Sequence, residues 1–341
     1  MLRGVASPCG ISVGRWLLAA AIAIGAGCGE SSAGVGEPVR VRVPPGAAFP
    51  QVADSLAAKD IIGSPRLFRL YARVSGQATQ IKPGTYEFRR DSGWRHVLDD
   101  LVAGAIITER LVIPEGLRLD EIAERIAALT EIDGDSLIAA LHDTSLVSQY
   151  EVPGPTLEGY LYPATYSFPV DAEAEVVIEH LIDTYRRVWT DDRRRMADSI
   201  GMTERQVVTL ASIIEKEAVR PDEMPVISAV YHNRLRIGMP LQADPTVQYA
   251  LGGHRERLLY ADIDRVADHP YNTYTQPGLP PGPIASPAER AIDAALAPAD
   301  VDFLYFVARP DGSHVFSRTL AEHNRARVEI RRQQQEQQSG S

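Results

Sequence analysis

Few residues in this chain stand in a pattern that does chemistry, and the most suggestive is a glutamate near the end of a strong helix. Thr203-Glu-Arg-Gln206 fits a capping box, in which the Thr and Gln side chains satisfy the first free backbone donors. Val207, Leu210, Ala211, Ile214 and Ala218 follow at helical spacing, and Pro221 stops the run. At about 100° per residue, Val207, Ala211, Ile214 and Ala218 form one apolar stripe. Glu215 falls at one edge of that stripe, roughly 80° from Val207. Glu217 falls at the other edge, and Lys216 points away. A carboxylate at such a border loses hydration once a second layer covers it. Desolvation raises its pKa, so it can hold a proton near neutral pH. A proton held there suits a general acid acting on a glycosidic oxygen. Spacing alone does not select Glu215, because most carboxylates so placed are simply solvated.

Other chemistries find little support. There is no His-Glu-x-x-His, and the eight histidines are scattered, so no metal site is expected. His314 and His323 either line a cleft or serve as satisfied structural residues. There is no Gly-x-Ser-x-Gly elbow and no Gly-rich phosphate loop, so neither an esterase triad nor a nucleotide cofactor is expected. Both cysteines, Cys9 and Cys28, lie near the N-terminus, which leaves the body without a disulfide framework or thiol nucleophile. A formal net charge of −10 argues against nucleic acid as a partner but permits an uncharged polysaccharide.

The elements that must position this chemistry fall into a few stretches. In residues 1–29, Arg3 and Arg15 precede the apolar run Trp16–Gly27, the pattern of an export signal or membrane anchor. Gly25-Ala-Gly-Cys28 resembles a lipoprotein cleavage site, although Gly25 stands where a larger aliphatic residue is usual. Lipidation at Cys28 and an uncleaved anchor both remain open. Residues 30–39 read as a polar linker, and 331–341 as a polar tail that begins as a solvated helix end.

From about residue 40 to 150 a weak repeat appears. Val41-Arg-Val-Pro-Pro-Gly46 leads into Val52-Ala-Asp-Ser-Leu56. Leu111-Val-Ile-Pro-Glu-Gly116 leads into Ile122-Ala-Glu-Arg-Ile126, about 70 residues later. Each copy reads as a strand, a tight turn and an amphipathic helix. Ile81–Phe88 reads as a turn entering a further strand. The unit resembles a LysM-like module, which would imply glycan binding; the residues alone favour a generic packing unit. Residues 151–330 are richer in Pro, Gly, Tyr and Asn phrases between helices, the texture of loops that carry chemistry. The expected class is α+β: a small N-terminal domain followed by a larger catalytic one.

Taken in order, the phrases say more than any one of them. They are Leu157-Glu-Gly-Tyr-Leu-Tyr-Pro-Ala-Thr-Tyr166, Leu210-Ala-Ser-Ile-Ile-Glu-Lys-Glu-Ala218 and Val230–Thr246 with its Leu-Gln-Ala-Asp-Pro-Thr end. Tyr271-Asn-Thr-Tyr274, Gly278–Ala285 and Leu304-Tyr-Phe-Val-Ala308 follow. Together they closely resemble the endolytic murein transglycosylase, or YceG-like, family from about residue 40 to 330. The resemblance implies lytic cleavage of peptidoglycan between N-acetylmuramic acid and N-acetylglucosamine, leaving 1,6-anhydro ends. It implies Glu215 as the catalytic acid/base, no cofactor, and work beside peptidoglycan synthases at the outer face of the membrane. Glu158, Gln242, Asp244, Thr246, Tyr249, Tyr271, Asn272 and Tyr274 are the expected groove residues, each with a structural role as the alternative. A hydrolytic muramidase, with Asp244 or Glu158 as partner carboxylate, and a non-catalytic wall-binding scaffold are the competing classes.

Overall fold

The computed structural model describes residues 35–130, 132–253, 255 and 258–339. The expected export segment or anchor, residues 1–29, and Cys28 lie outside them. The chain divides into two compact units, Met1–Ala105 and Ile106–Ser341. Among the described residues no helix is long and apolar enough to cross a membrane.

The first unit runs β1 (Val35–Val43), α1 (Phe49–Ala58), α2 (Pro65–Val74), β2 (Gly84–Arg90) and α3 (Trp94–Ala103). β1 begins inside the stretch expected to be linker, because Val35 already pairs with Arg90. Val41 and Val43 point inward while Arg40 and Arg42 face water, the period-two pattern of a strand covered on one side. Val41 pairs with Tyr86, and Leu56 and Phe68 are fully buried beneath the helices. Proline opens both α1 and α2, where its missing N–H costs nothing. Gly104, at φ +77°, closes α3 in a left-handed cap.

The second unit opens on the same plan. β3 (Thr108–Val112), α4 (Leu119–Thr130), α5 (Gly134–Leu141), α6 (Ser145–Gln149) and β4 (Thr165–Pro169) follow, with β3 and β4 antiparallel. The likeness extends to side chains. Leu111 pairs with Tyr166 as Val41 pairs with Tyr86. Tyr86 Oη donates to Lys82 O at 2.7 Å, and Tyr166 Oη donates to Tyr162 O at 2.6 Å. Tyr86 stacks on Phe88, and Tyr166 on Phe168. Thr-Tyr-x-Phe is thus a second signature of the repeat, beyond the strand–turn–helix phrases. The expected boundary near residue 150 falls inside the second unit. The reason is packing: Leu111, Ile122, Ile126 and Tyr166 share one apolar core with Val207, Ile214 and Ile292.

The rest of that unit is α7 (Ala174–Val188), α8 (Asp191–Ser199), α9 (Glu204–Glu217), α10 (Met224–Arg236), α11 (Asp244–Ala250), α12 (Tyr260–Arg265), α13 (Glu289–Leu296), β5 (Tyr305–Ala308), β6 (His314–Ser317) and α14 (Leu320–Ser339). Among the described residues strands occur as three antiparallel pairs beside many helices, so the α+β class holds. α14 continues as helix to Ser339 through the stretch expected to be a tail. The capping box of α9 forms: Thr203 Oγ1 accepts from Gln206 N at 3.3 Å, and Gln206 Oε1 accepts from Thr203 N at 2.8 Å. Every residue from Val207 to Ile214 is buried, so α9 is a central helix rather than one with a single covered stripe. It packs against α8, α10, α11 and α13.

Gly159 shows how tightly the loops fit. Its φ is +84°, and a Cβ there would stand 2.4 Å from Pro283 Cβ. Gly159→Ala combines left-handed strain with overpacking, so an expected loss of about 3 kcal/mol follows. Gly76→Ala, at φ +74° with nothing near its would-be Cβ, should lose about 1 kcal/mol. Urea denaturation of both variants checks the difference.

Candidate active site

α9 ends on two carboxylates, Glu215 and Glu217. Two residues along a helix turn the side chain by about 200°, so the pair faces opposite ways. Glu217 lines a cleft of about 720 Å³ together with Gln242, Asp244 and Tyr274. Its Oε1 accepts a hydrogen bond from Tyr231 Oη at 3.1 Å. Burial pushes its pKa up to about 7, and the negative charge of Asp244 adds to the rise. The Tyr231 hydroxyl and the Arg234 charge act the other way. A carboxyl group tuned to that range is populated in both protonation states near neutrality, as a group that serves as acid and then base requires.

Around it, Tyr274 Oη donates to Asp244 Oδ1. Burial, that bond and the Asp244 charge raise the Tyr274 hydroxyl above its usual range. Gln242 is held at φ +49°, a left-handed conformation that is costly for a residue with a long side chain. Its N–H donates to Thr273 O at 3.1 Å, which keeps the turn in place and leaves the side chain exposed at the cleft. Strain of this kind tends to collect at functional sites.

Glu215 does not line that cleft. Its Oε2 accepts from Ala288 N at 3.0 Å. Burial raises its pKa, while the Ala288 N–H and the charge of Arg290 oppose the rise. The neighbouring contacts tie two loops together. Lys216 Nζ donates to Gly116 O at 3.1 Å, Gly116 N to Ser286 O at 2.8 Å, and Ser286 N to Leu117 O at 2.8 Å. Arg290 forms an ion pair with Glu115. One turn earlier, Ser212 Oγ accepts from Ile284 N at 3.0 Å. Glu215 therefore fastens the segment 284–288 to α9.

The other expected groove residues divide sharply. Gln242, Asp244 and Tyr274 meet Glu217 in the cleft, as above. Glu158 is 2 % exposed and accepts from Leu119 N at 3.0 and 3.2 Å, capping α4. Burial pushes its pKa up to about 8 against that hydrogen bond and the Arg118 charge. Tyr249 and Tyr271 pack ring to ring at 4.8 Å, with Arg118 over Tyr249. Thr246 Oγ1 donates to Ala243 O at 2.7 Å and meets Thr273 Oγ1 at 2.8 Å. Asn272 is fully buried; its Nδ2 donates to Ile263 O and Val266 O, and its Oδ1 accepts from Tyr274 N. These residues shape the loops rather than the cleft surface. His314 and His323 also line the cleft, and His314 Nδ1 meets Glu223 Oε2 at 2.6 Å. Among the described residues no cluster of His, Cys, Asp or Glu could hold a metal.

A profile of the YceG-like family matches residues 41–329. The chain belongs to the YceG-like family. The endolytic murein transglycosylase of Bacillus subtilis (strain 168) is 34 % identical over 308 residues, covering 85 % of this chain and 84 % of that protein. The protein of the same name from Streptococcus pneumoniae (strain D39) is 29 % identical over 320 residues, covering 84 % of this chain but 57 % of its own length. A 2.6 Å crystal structure of a putative yceG-like protein from Listeria monocytogenes superposes with a TM-score of 0.59 at 34 % identity, covering 85 % of this chain and 98 % of that one.

Tyr231 and Arg234, which bear on Glu217, lie in the phrase Val230–Thr246 that marks the family, but nothing in their spacing pairs them with α9. Glu158 offers a clean test of site electrostatics in this YceG-like chain. Its folded pKa lies near 8, above the ordinary 4.5, so the folded protein binds the proton more tightly than the unfolded one. The stability this provides is complete below about pH 4.5 and is lost as pH rises through about 8. Glu158→Gln keeps an acceptor for Leu119 N and removes the charge. Urea denaturation from pH 5 to 9 should show wild-type stability falling more steeply than that of the variant.

Proposed function

We propose that this protein is an endolytic murein transglycosylase that cuts peptidoglycan strands between N-acetylmuramic acid and N-acetylglucosamine, with Glu217 as acid and base. Family membership and the names of its relatives support the activity. The observation that carries the assignment is that Glu217, rather than Glu215, lines the cleft with Gln242, Asp244 and Tyr274. Glu215, which the sequence resemblance put forward, is engaged by Ala288 N and acts here as a positioning residue.

Protonated Glu217 donates to the leaving glycosidic oxygen while the C1–O bond breaks through an oxocarbenium-like state. The resulting carboxylate takes the proton of the muramic acid C6 hydroxyl, whose oxygen attacks C1 and closes the 1,6-anhydro ring. Every atom of the cut bond is accounted for without water, which separates the reaction from ordinary retaining or inverting hydrolysis. Tyr231 Oη holds the carboxyl group in one orientation through both halves.

Hydrolysis is the second reading, because Asp244 lies in the same cleft and supplies the second carboxylate that a muramidase needs. Glu158, buried against α4, is not placed for that role. The β–α–α–β order of the first unit supports the LysM-like reading and hence a hold on glycan. Action at the outer face of the membrane, tethered through the N-terminus and beside peptidoglycan synthases, completes the proposal, with termination of nascent strands as the outcome.

Digestion of purified glycan strands followed by mass spectrometry tests the reading. Anhydro ends support the lytic reaction, hydrated reducing ends hydrolysis, and no products a binding scaffold. Glu217→Gln should lower the rate by about 10³-fold, the range for loss of a general acid/base. Glu215→Gln should cost only several-fold in rate. The reverse ranking would return the acid/base role to Glu215.

A further inference from the structure

The first unit carries an apolar face that neither its core nor bond cleavage uses. α2 reads Pro-Arg-Leu-Phe-Arg-Leu-Tyr-Ala-Arg-Val from Pro65 to Val74. Phe68 and Ala72 are fully buried and hold the helix against the core of the unit. Phe68 stacks on Phe49 of α1 and meets Trp94 of α3 edge-on. On the other side stand Leu67, Leu70 and Val74, which are 55 %, 56 % and 80 % exposed. At about 100° per residue, these three fall within about 60° of one another and roughly 150° from the buried pair. A surface helix ordinarily turns one apolar stripe to the core and its charges to water. α2 has two apolar stripes, and the second faces out.

The edges of the outer stripe differ in chemistry. Arg66, Arg69 and Arg73 run along one edge, and Tyr71 stands at the other. Arg69 pairs with Asp54, whereas Arg66 and Arg73 are exposed and join no ion pair among the described residues. Tyr71 is half-buried, its ring centroid 6.4 Å from that of Trp94. α2 contains no acidic residue, in a chain whose formal net charge is −10. An exposed aliphatic stripe edged by arginine and tyrosine fits a helix lying in the interface of an anionic bilayer. The aliphatic side chains enter the acyl boundary, guanidinium groups meet lipid phosphates, and the tyrosine sits among the headgroups.

Size and position in the chain say what covers this stripe. A stable protein interface takes roughly 20–30 residues a side. Three side chains on a ten-residue helix fall far short of that. A bilayer needs no shape-complementary partner. β1 begins at Val35, eight residues after the apolar run Trp16–Gly27 ends and seven after Cys28. Eight residues of chain reach at most about 30 Å. Either form of tether therefore holds the first unit beside the membrane, where even a weak surface contact is made at high effective concentration. We propose that α2 docks on the anionic membrane surface through Leu67, Leu70 and Val74, with Arg66 and Arg73 on lipid phosphates. The proposal rests on the tethered reading above and deepens it, since the first unit lies on the bilayer instead of swinging from it.

Photocrosslinking in the full chain tests this. p-Benzoylphenylalanine is placed at Leu70, or at the exposed Glu87 of β2 as a control. The chain is reconstituted in vesicles of phosphatidylethanolamine and phosphatidylglycerol, floated, irradiated and analysed by mass spectrometry. Lipid adducts at position 70 should exceed those at position 87 by about tenfold, as for a side chain within the interface. The yield at position 70 should fall several-fold in vesicles of neutral phosphatidylcholine, and likewise when Arg66→Glu and Arg73→Glu are added. Both arginines are exposed, and an unchanged Tm confirms that the variant folds. Adducts from position 70 to residues 16–27 of the same chain, or to a second copy, would identify a protein cover and overturn the proposal. Equal lipid yields at positions 70 and 87, or a yield indifferent to lipid charge, overturn it too. In these cases a chain that still floats with the vesicles leaves the tether standing. A chain that does not float removes the tether and the docking together.

Discussion

Burial of α9 on all sides dictates where its last turn can place charge. From Val207 to Ile214 no side chain reaches solvent, so the helix can neither rotate nor slide without opening the core. The first carboxylates beyond that run, Glu215 and Glu217, emerge on opposite sides because of the helical period. One carboxylate then meets the segment 284–288, and the other meets the cleft. Substitution in the buried run would disturb both at once, since a close-packed interior transmits small volume changes.

The second copy of the repeat gives that helix one of its walls. Both copies use an antiparallel strand pair, a buried Tyr–Phe stack and a tyrosine hydroxyl bonded four residues back. In the second copy, the turn between β3 and α4 does not stay open. Gly116 and Leu117 exchange backbone hydrogen bonds with Ser286, and Gly159 packs against Pro283. The second copy has become part of a larger core, its turn stitched to the loop that Glu215 also holds.

The cleft gathers its charges from distant parts of the chain: α9, α10, α11 and α14 each contribute. This is what tunes Glu217. Desolvation and Asp244 favour its protonated form, whereas Tyr231 and Arg234 favour the ionised one, and the balance lies near neutrality. A single partner would have driven the group to one state.

Much of this was legible in the residues. The capping box, the α9 helix, the α+β class, the repeat and the family follow from local spacing and ordered phrases, because hydrogen bonds within a helix and hydrophobic periodicity are short-range. Which of Glu215 and Glu217 faces the cleft was not legible, since each sits at an edge of the apolar stripe and only the packed neighbours distinguish the edges. The groove candidates divided for the same reason: Asn272 and Asp244 are both polar loop residues, yet one locks a turn and the other faces the cleft. Arg331 lay in a stretch that reads as featureless tail, and only the continuation of α14 carries it to the cleft. The sequence by itself determined which elements form and which family they belong to. Tertiary structure decided which charges meet, because charges far apart in the chain acquire a common environment only once the core has closed around them.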